Sequence, residues 1–317
     1  MEAWISTKYN PKKRMEIITT ITPIFIIILM GWAARKKGFI TPDFLGPANK
    51  LVYYLSIPAM IFNSISKASF REQFNPKLLF LTLLAATIIY IIADILAKIL
   101  KMSPARSGAF VQSSGHGNLG YIGLPIALYY LGDNGLARAG IICGFLMILQ
   151  NLMSVIVLQL HSEKRFSGIR PIITKLAKNP VIVSAMTGIL FSAFNLPVPT
   201  IVGSSLTILG GLAPPMALLL IGASISMKLI REYLHPTLGA ISMKLFFLPC
   251  LGLMLFRLFG LSAEEFLPAM ILLCSPTATL TYVMAKEMHG DAEFAVATIS
   301  ASTLFSSITF ILWLTIL

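Results

Sequence analysis

Charged side chains are scarce in this 317-residue sequence: Asp, Glu, Lys and Arg make up 12% of it, against about 25% in an ordinary soluble domain. That scarcity excludes a water-facing surface for most of the chain. Acids are scarcer than bases, 13 against 25 Lys and Arg, for a net charge of +12. In an apolar chain the simpler source of such a balance is cytoplasmic loops rich in Lys and Arg, so no nucleic-acid partner is expected. Cysteine is nearly absent. Cys143, Cys250 and Cys274 all sit in apolar runs, and an odd number at no metal-ligand spacing argues against a disulfide framework and a zinc site. No Ser-His-Asp set, paired carboxylate, nucleotide loop or His-x-x-x-His stands in a catalytic context. Neither an enzyme nor a resident metal or cofactor is expected.

What is present is apolar length. Hydrophobic residues make up 56% of the chain and the mean hydropathy is +0.82, the signature of an all-α integral membrane protein in a lipid bilayer. At about 20 residues per span, ten windows emerge: 15–34, 46–66, 76–98, 107–131, 134–160, 180–196, 200–226, 237–259, 264–286 and 292–317. The first is followed by Arg35, Lys36 and Lys37 with no small-residue cleavage pattern, so it reads as an anchored helix rather than a removable signal peptide. Sixteen Lys and Arg flank the odd-numbered loops and nine the other side. This places the odd loops inside and both termini outside, in the cell membrane. The tail dissents, with Lys12, Lys13 and Arg14 on the outer side; Met15 as the natural start would remove the conflict. The longest inside loop, 161–179, is basic and divides the chain almost in half.

The two halves share a pattern. Pro23 and Gly31 fall 157 residues before Pro180 and Gly188, Pro58 before Pro215, and Asn134 before Asp291. A five-span unit repeated once enters the membrane from the opposite side the second time, which predicts two inverted five-helix repeats, 15–160 and 180–317, after a 1–14 tail. Inverted repeats are an architecture of secondary transporters, whose substrate sites lie near the midplane on discontinuous helices.

The fourth and ninth windows are the candidates for breaks. Ser113 to Pro125 holds four glycines and a proline, a poor continuous helix. Cys274 to Glu287 carries Pro276 amid Ser275, Thr277, Thr279 and Thr281, whose hydroxyls can rebind loosened carbonyls. Backbone freed in lipid must face protein or a wet cavity. Two broken helices crossing at the midplane bring two half-helix amino ends to one point, a ready anion site, with Asn118 and Thr277 as side-chain donors. His116 borders the break, where a hydrogen bond to freed backbone is expected. Asn63 and Asn151 read first as interhelical glue, with Asn63 also a candidate substrate contact. Trp32, Tyr53 and Trp313 read as interfacial anchors. Asp94 and Lys98 form an i,i+4 pair, and Asp94 is the most embedded acid, a functional candidate by default or an interface pair with a snorkelling lysine.

On these residues the sequence resembles the auxin efflux carrier family, which includes plant auxin exporters and bacterial organic-acid permeases. The closest motifs are Tyr282-Val-Met-Ala-Lys-Glu287 after Pro276, and Asn118-Leu-Gly-Tyr-Ile-Gly-Leu-Pro125. The resemblance spans Met15 to Leu317. It implies ten helices in two inverted repeats, with a scaffold domain (helices 1, 2, 6, 7) and a transport domain (3–5, 8–10). A homodimer through the scaffold is a further expectation. The crossover then falls at Gly117-Asn118 and Pro276-Thr277, beside the substrate carboxylate, with Gly120, Gly123 and Pro125 as hinge positions. Plant carriers have Pro where this chain has Gly117. The resemblance also groups Asp94, Lys98 and Gln150 as a polar support cluster.

The resulting expectation is a sodium-independent carrier of small organic anions in the efflux direction, working by an elevator-type movement. Its rivals are a proton- or sodium-coupled uptake permease for malate or malonate, and a non-transporting membrane sensor of the same fold.

Overall fold

The computed structural model describes residues 11–162, 174 and 177–317. Residues 1–10 of the expected tail and most of the 161–179 loop lie outside the described residues. The described chain is helical. In order, the helices are α1 (Pro11–Lys36), α2 (Pro42–Leu51), α3 (Ile57–Lys67), α4 (Phe70–Gln73), α5 (Pro76–Ile99), α6 (Pro104–Gly115), α7 (Leu124–Leu160) and α8 (Pro180–Ala193). They continue with α9 (Thr200–Gly211), α10 (Ala213–Ala223), α11 (Met227–Glu232), α12 (Leu234–Ser242), α13 (Leu248–Leu258), α14 (Ala263–Cys274), α15 (Leu280–Glu287) and α16 (Ala292–Ile316).

Local chemistry explains many of the ends. Proline stands at the start of α1, α2, α5, α6 and α8, where its missing N–H costs nothing. Asn75, Asn179 and Asp291 cap α5, α8 and α16 by accepting N–H bonds from the first turn, and Ser262 with Glu265 forms a capping box on α14.

Proline also sets the irregular turns. Three π-helical turns, Val52–Ser56, Leu119–Gly123 and Met243–Phe247, each run directly into an apolar residue and a proline: Ile57-Pro58, Leu124-Pro125 and Leu248-Pro249. A helical proline lacks a donor and its ring clashes with the carbonyl four residues back. Widening the preceding turn by one residue relieves that clash. At Pro249 the carbonyl concerned is Leu245 O, which instead accepts a 2.8 Å bond from Trp313 Nε1. Trp313 is therefore buried, 8% exposed, and is not the interfacial anchor its place near the chain end suggested.

Among the described residues, six segments are long and apolar enough to cross a membrane: Ile17–Lys36, Pro76–Ile99, Leu119–Leu160, Thr200–Ala223, Leu234–Leu258 and Ala292–Ile316. The 42 residues of Leu119–Leu160 would span about 60 Å as one helix, twice a bilayer core of about 30 Å. Gly132 resolves this by leaving the helical region (φ 68°, ψ −166°), so the run divides where the 107–131 and 134–160 windows were separated. The other expected spans are short or interrupted: α2–α3 by a π turn, α6 and α14 by breaks, and α8 with only 14 residues.

The helices pack as one connected bundle, in which α1 also meets α16, and α3 and α8 meet α7. α1 packs along α10, and α3 packs on both α8 and α9. In turn, α5 packs on α6 and α13, α12 and α15 on α16, and α6 and α14 meet α7 and α16. Arg106 at the start of α6 pairs with Asp291 at the start of α16 (3.0 Å) and lies 5.3 Å over the Tyr233 ring.

The α1–α10 contact is backbone against backbone. A Cβ on Gly222 would fall 1.8 Å from Ile28 O, and one on Gly31 2.1 Å from Leu219 O. Neither carbonyl can turn away as a side chain would. Gly222→Val should therefore destabilise the protein by at least the about 1–3 kcal/mol typical of an overpacked core, read as a lower Tm in detergent. Gly211→Ala, with nothing within 4 Å of the added carbon, should leave Tm unchanged or raise it.

Candidate functional site

Two helices stop in mid-core and their broken segments touch. α6 ends at Gly115 and α14 at Cys274. Between these ends and the helices that follow, Gly117 and Thr277 form an isolated antiparallel bridge. Asn118 N donates to Pro276 O (2.7 Å) and Ala278 N to His116 O (2.9 Å). Each break thus supplies the partner the other lacks.

Side chains meet several of the remaining backbone groups. Thr277 Oγ1 donates to Ser113 O (2.9 Å), and Ser302 Oγ accepts from Thr277 N (3.1 Å). Gln150 Nε2 donates to Gly115 O (3.2 Å) and Lys244 Nζ to Leu273 O (2.8 Å). Ser275 and Thr281 rebind Ile271 O and Ala278 O, as expected of hydroxyls beside Pro276. Asn118 accepts from Tyr121 N through Oδ1 (3.3 Å), but its Nδ2 is buried and has no partner. A buried donor left unpaired is costly; the residue that carries it lines a cavity, from which the nitrogen itself is closed off.

That cavity, about 510 Å³, is bounded on one side by His116, Gly117, Asn118, Gly120, Thr279, Leu280 and Tyr282. On the other side lie Asn49, Lys50, Tyr53, Val181, Leu220 and Ser224, from the α2–α3 and α8–α10 regions. It therefore lies between the broken segments and the α2–α3 and α8–α10 regions. The first turns after both breaks face it, and the first N–H groups of a helix have no acceptor within that helix. Its walls are mostly apolar, and among the described residues Lys50 is the one charged residue in its lining and no carboxylate lines it. An adjoining opening of about 630 Å³, by Trp32, Arg35 and Lys228, shares Ser224 with this cavity.

The expected residues are distributed as follows. Gly117, Asn118, Pro276 and Thr277 meet at the bridge, but of these four only Gly117 and Asn118 line the cavity, with Gly120 beside them, and the Thr277 hydroxyl is held by Ser113 O. Gly123 and Pro125 lie in the turn just beyond, where Gly123 faces Ser275 Oγ at 2.7 Å from its would-be Cβ. Asn63 does not reach the cavity. Its Nδ2 donates to Thr207 Oγ1 across α3 and α9 (3.1 Å), as interhelical glue would. Asn151 bonds Met147 O within its own helix instead. Nor does the structure gather Asp94, Lys98 and Gln150. Asp94 pairs with Lys98 (2.6 Å) and with His161 (2.7 Å) at the end of α5, where Lys98 is 67% exposed. Gln150 is eleven residues before His161 on α7, about 16 Å away along the helix. His116 bonds Ser154 Oγ (2.8 Å) rather than freed backbone, and Tyr90 reaches the same hydroxyl (3.3 Å). Tyr53 lines the cavity instead of anchoring an interface.

Two residues were missed. Lys50 was counted only as a loop-flanking cation, although its place in the 46–66 window was a signal. Lys244 was counted likewise, yet it is fully buried at the crossover, and a lysine inside the 237–259 window was the available hint.

A family model described as membrane transport protein matches residues 16–314. An uncharacterized transporter of Methanocaldococcus jannaschii is 26% identical over 298 residues, covering 92% of this chain and 95% of that protein. A Rhizobium meliloti protein named "Putative malonate transporter" is 23% identical over 301 residues, covering 93% of each.

Thr277 is the hinge of this hydrogen-bonding scheme. Thr277→Val keeps its shape but leaves Ser113 O without its donor deep in the protein. Stability should fall by about 1–3 kcal/mol, measured as a lowered Tm in detergent, whereas Thr279→Val, with no such bond, should shift Tm far less.

Proposed function

Because the chain belongs to the membrane transport protein family, that of the auxin efflux carriers, and is a multi-pass membrane transporter, we propose that it is a secondary carrier exporting small organic anions. The observation that carries this reading is the unpaired Nδ2 of Asn118, a residue in the wall of a cavity whose lining, among the described residues, has one lysine and no carboxylate. Amino ends of the segments following both breaks add partial positive charge at the same wall. A substrate carboxylate meets these donors, and the apolar walls take its organic body. One lysine and two half-helix ends suit a monocarboxylate better than a dicarboxylate.

The proposed architecture is ten helices in two inverted repeats, residues 15–160 and 180–317. Three features support it: the reciprocal pairing of α1 with α10 and α3 with α8, the matched breaks, and irregularities at one offset. The π turn Val52–Ser56 lies 157 residues before 209–213, where Leu212 separates α9 from α10. The first two and the sixth and seventh spans then form a scaffold, through which a homodimer would assemble. The rest carries the substrate past it in an elevator-type movement, since the cavity lies between the broken segments and the α2–α3 and α8–α10 regions. The loop 161–179 is assigned to the cytoplasm of a cell membrane, with both termini outside.

Export of a monoanion needs no coupling ion. A potential of about 100 mV, negative inside, drives a monoanion outward with about 2.3 kcal/mol, a concentration ratio near fiftyfold. The spans offer Asp94 as their one clear embedded acid, a thin ligand set for sodium. The name of the Rhizobium meliloti relative favours a second reading, malonate or malate uptake coupled to protons or sodium.

Solid-supported-membrane currents separate the two. Purified protein in sodium-free buffer, challenged with indole-3-acetate, lactate, malate and malonate, should give a saturable current with a monocarboxylate. Asn118→Ala should reduce it by tenfold or more. A current seen only with malate or malonate, and only after adding sodium or a proton gradient, supports the uptake permease. Silence with every anion under every gradient would sink the anion-carrier reading.

A further inference from the structure

Lys244 is absent from the cavity lining but presses on the crossover from behind. It sits in the π turn Met243–Phe247 and is fully buried. Its Nζ donates to Leu273 O, and a Cβ on Gly117 would lie 3.1 Å from that nitrogen. Among the described residues no acidic side chain pairs with it. Burial disfavours an ammonium that has no counter-charge, so its charge depends on the compensation that the surrounding backbone gives.

The half-helices supply it. Leu273 O belongs to the last turn of α14, and Gly117 is two residues past the end of α6. The ammonium therefore stands at the carboxyl ends of two twelve-residue helices, each carrying about half a negative charge. Together these ends balance one fixed cation. On the other side of the bridge the opposite holds: two amino ends, each about half a positive charge, balance one carboxylate. With a monoanion bound, the whole crossover is neutral. Without the lysine, the same neutrality would need a cation taken from solution.

Building on the anion-carrier reading, we propose that Lys244 is a built-in cation: a positioning residue that balances the carboxyl ends of the two broken helices behind the crossover, so that the amino-end face binds a monoanion unaided. The side chain touches no substrate. Its covalent attachment makes the cation part of the fold, and the carrier then needs none from solution.

The test compares Lys244→Met, which fills the space without charge, with Lys244→Ala, which leaves room for n-propylammonium. Binding of indole-3-acetate in detergent should weaken at least tenfold in both, and Tm should fall in both, because Leu273 O loses its donor. Millimolar n-propylammonium should raise the Tm of Lys244→Ala and restore its binding. Tetramethylammonium, too large for the vacated channel, should do neither, and n-propylammonium should not rescue Lys244→Met. The stability arm needs no anion, so it decides the role of Lys244 even if wild-type protein binds none of the anions offered, a result that would count against the carrier reading alone. A Lys244→Ala protein whose Tm ignores n-propylammonium overturns the assignment, and so does a Lys244→Met protein that binds the anion as wild type does. Should Lys244→Met fail to fold, n-propylammonium rescue of Lys244→Ala decides.

Discussion

Backbone hydrogen bonding governs this molecule more than any side-chain contact. In the interior of a membrane-spanning bundle no water is at hand to satisfy a broken helix, and each orphaned N–H or C=O costs several kcal/mol. Two helices nevertheless break, after Gly115 and after Cys274. They can do so because they break against one another: the Gly117–Thr277 bridge pairs Asn118 with Pro276 and Ala278 with His116. The surrounding helices then supply Ser302, Gln150 and Lys244 to the groups still open. Remove that mutual pairing and neither break survives, nor does the cavity wall built on it.

The location of the breaks was legible because glycine and proline act locally. Gly115, Gly117 and Pro276 disfavour helix wherever they stand, and hydroxyls clustered around a proline announce carbonyls in need of donors. The same locality explains the π turns before Pro58, Pro125 and Pro249, although the π geometry itself was not anticipated. Span windows were legible for a different reason, since apolar length is additive along the chain. They were less secure for the broken and fourteen-residue helices, whose length alone does not cross a bilayer.

What escaped the sequence depends on which helix faces which. Lys244 looked like one more loop-flanking cation, and nothing in its neighbours in sequence marks the half-helix ends that surround it. Gln150 and Asp94 were grouped by resemblance, yet the length of α7 holds them far apart. Trp313 sits near the chain end, but its indole is drawn inward by the carbonyl that Pro249 leaves open. Asn63 was one amide among several, and only the α3–α9 contact shows that Thr207 is its partner. In each case the deciding partner lies more than sixty residues away or in another helix, where periodicity carries no information.

The breaks, the buried ammonium and the unpaired amide form one electrostatic arrangement, negative helix ends facing a fixed cation and positive ends facing a cavity. The account stands on an anion taking its place at Asn118. The most direct measurement is a crystal structure of the protein soaked with an iodinated indole-3-acetate. The account predicts an anomalous iodine peak inside the cavity, with carboxylate density within hydrogen-bond distance of Asn118 Nδ2. Iodine density only outside that cavity, or a continuous helix through residues 116–118, would contradict it.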